Sequence, residues 1–185
     1  MRPVAFLLLL ALSGLSQIKP TSVAAAPAPA AVTGTTAAPR ISWQTFTDLE
    51  RGFDGKLSAT GAPDPISLVG NTRGLYLAGC GVIFTTDAML VTTIGNTPFH
   101  QVTPQEKIQV HQRKLDRLPL LKQVMVEMMK NAAGALRTLP ETDQVVVAVR
   151  LFYLPWEDTT GLPGQVLMRA NRKAALAGDV KVEVE

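Results

Sequence analysis

The chain has 185 residues, one cysteine, two histidines and a formal net charge of +3. That length admits one ordinary domain, and a lone cysteine excludes an internal disulfide. The small charge excludes the strong basic footprint with which nucleic-acid binders displace phosphate counterions, so no nucleic-acid partner is expected.

The N-terminal stretch reads as an export signal. Arg2 precedes a largely apolar run over residues 4–15, and small side chains follow at Ser22, Val23, Ala24 and Ala25. This order of basic, apolar and small suits a translocation site and then a peptidase, with cleavage after Ala24 or Ala25. The run falls short of the ~20 residues that a helical bilayer span needs. Losing Arg2 and Lys19 with residues 1–25 leaves 16 basic against 15 acidic residues, a net +1. Residues 26–41, rich in Ala, Pro and Thr, carry too little apolar surface to offset chain entropy and read as a tether. A single globular domain is expected over 42–185, long enough for a core without disulfides.

Trp43, Phe46, Leu49 and Phe53 recur at helical spacing, with Ser42 as a cap and Gly55 just past the expected end. Two short strands around a turn at 71–74, followed by a further β-rich run over 81–93, predict at least three strands. Thr103, Pro104 and Glu106 form a capping box with proline at the first helical position. It opens a long helix whose apolar stripe is read as Ile108, His111, Leu115, Leu118, Leu121, Met125, Met128 or Met129, Ala132 and Leu136. Pro119 predicts a kink or a break within it. The opposite side carries Lys107, Arg113, Lys114, Arg117, Lys122 and Lys130.

Residues 145–154 are almost continuously apolar, as in a central strand buried on both faces. A turn-rich loop, a strand over 165–170 and a short helix over 171–176 follow. Val180, Val182 and Val184 then alternate with Lys181, Glu183 and Glu185, which predicts a half-buried edge strand. Segregated strands and helices make this an α+β domain: a mainly antiparallel sheet with a long, Pro-kinked amphipathic helix packed on one face.

Candidate chemistry is sparse. Cys80 lies between Gly79 and Gly81, and His100 is the freer of two possible bases for a catalytic thiol. An unbroken strand would instead place Cys80, Val82 and Phe84 on one face, and a core cysteine is the expectation. His100 and His111 have no cysteine or carboxylate at ligand spacing, so neither a metal site nor a cofactor is expected. Arg113, Lys114 and Arg117 present a cationic helix face that suits an acidic partner or anionic lipid headgroups, unless it is simply solvated. Trp156, Glu157 and Asp158 form an aromatic and acidic group in a loop, either a binding edge or a cover for the core.

The expected function is an exported, non-catalytic binding or scaffold domain whose partner is an unidentified envelope or extracellular protein or polymer. The alternatives are a thiol-dependent enzyme or redox sensor using Cys80, and a peripheral binder of anionic membrane surfaces.

Overall fold

The computed structural model describes residues 39–93 and 101–185. The expected leader, most of the tether and His100 lie outside the described residues.

Helix α1, Trp43–Ala59, begins where the Ser42 hydroxyl accepts the Thr45 amide at 3.1 Å. It buries Phe46, Leu49, Phe53 and Leu57. The apolar period continues through Leu57, so Gly55 lies inside the helix instead of beyond its end, and Trp43 remains exposed ahead of the stripe.

Strands β1, Ser67–Leu77, and β2, Gly81–Met89, form one antiparallel hairpin, so two strands stand where three were expected. The stretch 71–74 is no turn. It lies within β1, where the register slips between Leu68 and Gly70 and again between Gly70 and Arg73. Turn residues also suit bulges, and here α1 keeps the irregular stretch extended. Asp54 accepts hydrogen bonds from the Thr72 amide (2.9 Å) and hydroxyl (2.7 Å), and Glu50 accepts the Gly74 amide at 2.8 Å. A side chain at Gly74 would meet the rings of Phe84 and Phe46 at 2.6 and 2.7 Å, so glycine there lets α1 and β2 pack closely.

Helix α2, Pro104–Ala135, opens with the expected capping box at Thr103. It runs through Pro119 as one element, without the break that proline allows. Pro119 is exposed, and water can satisfy the carbonyl left free by its missing N–H. From Leu121 onward the buried face is the expected one, including Met125, Met128, Met129 and Ala132. Before Leu121 it is rotated: Val110 and Lys114 are buried, Leu115 and Leu118 are half-buried, and Ile108 is 69% exposed.

Strands β3, Gln144–Leu151, and β4, Gln165–Asn171, then the short helix α3, Arg172–Ala177, and strand β5, Lys181–Val184, complete the domain. The sheet order is β1-β2-β3-β4-β5; β2 and β3 are parallel across the α2 crossover, and the other pairs are antiparallel. The domain is α+β. One core gathers the inner face of the sheet with residues of all three helices. β3 is central as expected, yet only Val145, Val147, Val149 and Leu151 are buried, while Val146 and Ala148 on the other face are half-buried. All of β5 is exposed where half-burial was expected, because β4 is its one close neighbour and no helix packs closely on it.

Candidate binding cleft beside the long helix

The loop over residues 152–164 leaves the central strand β3 and returns to β4. Its ends are tied by the Leu151 amide donating to the Gly164 carbonyl (2.8 Å) and the Phe152 amide donating to Ala88 (2.9 Å). Within it the Tyr153 hydroxyl donates to the Pro163 carbonyl at 2.7 Å. At its outer bend the Asp158 carbonyl accepts from His111 Nδ1 at 2.9 Å, which docks the loop on α2.

Glu157 turns inward from this loop. Its Oε2 pairs with Lys114 Nζ and accepts the Leu154 amide at 3.0 Å, while Oε1 accepts the Thr93 hydroxyl at 2.7 Å. Lys114 Nζ also lies 4.9 Å from the centre of the Tyr153 ring, a cation–π contact. A charge leaves water at tolerable cost only when paired and hydrogen-bonded, and this pair meets both conditions. Glu157 therefore joins three segments: α2, the loop and the chain just after β2.

Trp156, the preceding residue, faces a cleft of about 290 Å³. Val102 and Val110 give the cleft apolar wall, while Thr92, Gln109 and Arg113 contribute polar groups. The indole Nε1 of Trp156 is shut off from solvent and has no hydrogen-bond partner. Glu106, on the same rim, serves the capping box, accepting the Thr103 amide (2.7 Å) and hydroxyl (2.8 Å).

The surrounding electrostatics follow from burial and local bonding. Desolvation, and secondly the negative charge of Glu157, push the Tyr153 phenol up to about 12. The Asp158 carboxyl is held below its ordinary value by hydrogen bonds from the Thr160 side chain and amide, with a smaller contribution from His111.

Of the residues singled out from sequence, Arg113 and Trp156 line the cleft, and Lys114 and Glu157 meet behind it. Lys114 does not belong to a solvated cationic face: its side chain is 0% exposed, because the loop brings a carboxylate to it. Arg113 and Arg117 pair with Asp64 at 3.3 and 3.5 Å, fastening the α1–β1 connection onto α2. Asp158 stays on the exposed bend.

Cys80 is not in the core. The chain reverses at residues 78–80, with the Cys80 amide donating to Leu77 at 3.0 Å, and the thiol-bearing residue is exposed. The strand that would have carried it inward begins one residue later, at Gly81. It does not line the cleft.

Sequence reasoning missed Thr93 and Tyr153 as parts of this arrangement. It also missed the inward position of Lys114, although Val110, Lys114, Leu121 and Met125 keep helical spacing as well as the stripe it followed. Among the described residues, no group of three or more His, Cys, Asp or Glu is placed to hold a metal ion, and no helix is long and apolar enough to cross a membrane. Comparison with protein-family models, curated proteins and solved structures finds no match.

Proposed function

We propose that the protein is an exported, non-catalytic binding domain, and that the cleft beside Trp156 receives an acceptor-bearing group of an envelope or extracellular protein or polymer. The observation that carries this reading is that Trp156 lines an open cleft while its indole N–H is buried without a partner. A buried donor left unmatched costs about 1–3 kcal/mol, which the indole would recover by turning its N–H into the cleft toward a ligand carbonyl or carboxylate. Arg113 on the same cleft favours a carboxylate, and Val102 and Val110 favour an apolar group attached to it.

A non-catalytic role is supported by the state of the inward charges. Lys114 and Glu157 neutralise each other, and Glu157 is further occupied by Thr93 and Leu154. Peripheral membrane binding has less support, since Lys114 is buried and Arg117 is 14% exposed and paired with Asp64, which leaves only Arg113 of the three largely open to an anion. Thiol chemistry rests on the exposure of Cys80 alone. Export rests on the basic, apolar and small order of residues 1–25; a secreted product starting at Ala25 or Ala26 is the expected result of N-terminal sequencing.

The test is the indole N–H resonance of Trp156, with Trp43 as internal control. N-acetylated amino acids and uronic acids serve as carboxylate probes, and their methyl esters as neutral comparators. A saturable shift confined to Trp156, weakened roughly tenfold by Arg113→Ala, is expected for the acids. An unmoved Trp156 resonance across the panel would overturn the proposal.

A further inference from the structure

We infer that β5 is a self-association edge: two copies of the chain pair antiparallel through residues 181–185 about a two-fold axis, joining their sheets into one.

The backbone sets which groups are free. Gln165 and Glu185 exchange both of their hydrogen bonds, at 3.0 and 3.1 Å. In an antiparallel ladder such pairs recur at every second residue, so Glu183 and Lys181 also turn their amides and carbonyls toward β4. Val182 and Val184 turn theirs outward, and the sheet ends there. The other edge is treated differently, because α1 flanks β1 and its Asp54 and Glu50 accept hydrogen bonds from Thr72 and Gly74. Unpaired strand edges are templates for another strand, and folds usually cover or blunt them.

The side chains point the same way from the core side. Val182 lies opposite Met168 and Val184 opposite Val166, both fully buried, so the two valines belong to the inner face of the sheet. They are nevertheless 45% and 51% exposed. Beside Val184 a groove of about 350 Å³ runs to α2, with Leu118, Leu162 and Pro163 on its walls. Apolar surface thus stays open on the inner side of the last strand, with Lys122 and Glu185 at its margin.

A second copy matches this edge in charge and in register. Setting Val182 against the partner's Val184 brings all outward-facing amides and carbonyls of both valines into pairs and joins the valines on the inner face. The same register places Lys181 opposite the partner's Glu185 on both sides of the axis. Glu183 then faces the partner's Glu183, but Arg169 already holds it at 2.7 Å. A slip of two residues one way sets Glu183 against the partner's Glu185. The other way brings Lys181 to the partner's Glu183, which has its arginine already, and sets Asp179 against the partner's Glu185. Like charges count against both slips, and a slip of one residue sets outward groups against inward ones. The alternation of valine with Lys181, Glu183 and Glu185 is therefore most self-complementary in the first register.

Sedimentation velocity of the whole chain from about 1 to about 100 µM tests this, the range in which a short edge pairing should associate. A concentration-dependent dimer is expected. Lys181→Glu should weaken it at least tenfold, and adding Glu185→Lys should restore it. Val184→Pro removes an amide that the chain's own ladder does not use, so it should abolish the dimer while leaving the circular dichroism spectrum unchanged. A monomer throughout, a dimer indifferent to Lys181→Glu, or loss without rescue by Glu185→Lys would each overturn the inference.

Discussion

Lys114 and Glu157, 43 residues apart in sequence, form an ion pair from which water is almost wholly excluded, with side-chain exposures of 0% and 1%. The pair fixes the loop over 152–164 to α2 and thereby sets the position of Trp156 at the cleft. Removing one partner strands the other charge in a site without water. Lys114→Met and Glu157→Gln are each expected to cost about 3–5 kcal/mol in urea unfolding. The double variant leaves no charge behind and should recover most of that loss, since the amide introduced by Glu157→Gln can accept the Leu154 N–H with its oxygen and donate its own N–H to the Thr93 hydroxyl, which accepts as well as donates. Additive losses in the double-mutant cycle would contradict the coupling.

Tyr153 makes the same region alkali-sensitive. Desolvation first and the Glu157 charge second push its phenol from an ordinary value of 10.0 up to about 12. The raised value means that the folded state holds this proton more tightly than the unfolded state. Its stabilising contribution is therefore fully present below pH 10 and is lost as pH rises toward 12. The unfolding midpoint should fall across that window, and Tyr153→Phe should flatten the fall. Glu157→Gln should bring the phenolate absorbance transition to lower pH. A Tyr153 phenol that titrates at its ordinary value in the folded protein would refute this account.

Asp54 and Glu50 hold the irregular part of β1, and their loss should be felt there first. Asp54→Ala removes the acceptor of both the Thr72 amide and the nearly buried Thr72 hydroxyl, at an expected cost of about 1–3 kcal/mol. Glu50→Ala frees only the Gly74 amide and should cost less. Amide exchange checks the assignment: Thr72 should lose protection in the first variant and Gly74 in the second, with β3 amides unaffected.

Local signals in the sequence were legible because they depend on neighbours in the chain. The Thr103–Glu106 capping box stands where the pattern placed it, and β3 and β5 take the central and edge places it gave them, though one face of β3 and all of β5 are less buried than the pattern predicted. What failed depended on distant partners. Asn71 and Gly74 carry turn chemistry, but a turn and a bulge use the same residues, and Asp54 and Glu50 on α1 select the bulge. Lys114 looked like a solvent-facing cation because nothing nearby in sequence announces Glu157 beneath it. Trp156, Glu157 and Arg113 were visible as candidates, yet their convergence follows from the α2 crossover and could not be read from spacing.

Cys80 and Gly81 divide the hairpin turn into a dispensable and an indispensable residue. Cys80 is exposed, so it should react with a thiol reagent in the folded chain about as readily as after unfolding. Cys80→Ser should alter stability by less than about 0.5 kcal/mol, as expected for a surface position without burial or strain. Gly81 sits at φ +128°, and a side chain there would come within 2.0 Å of the Gln144 carbonyl oxygen. That is the point where β2 begins its parallel pairing with β3, opposite Gln144. Gly81→Ala should therefore cost about 1–3 kcal/mol or more and weaken amide protection where the two strands first meet. Protection of Cys80 from the reagent until unfolding, together with a harmless Gly81→Ala, would reverse the assignment and return the thiol to the core.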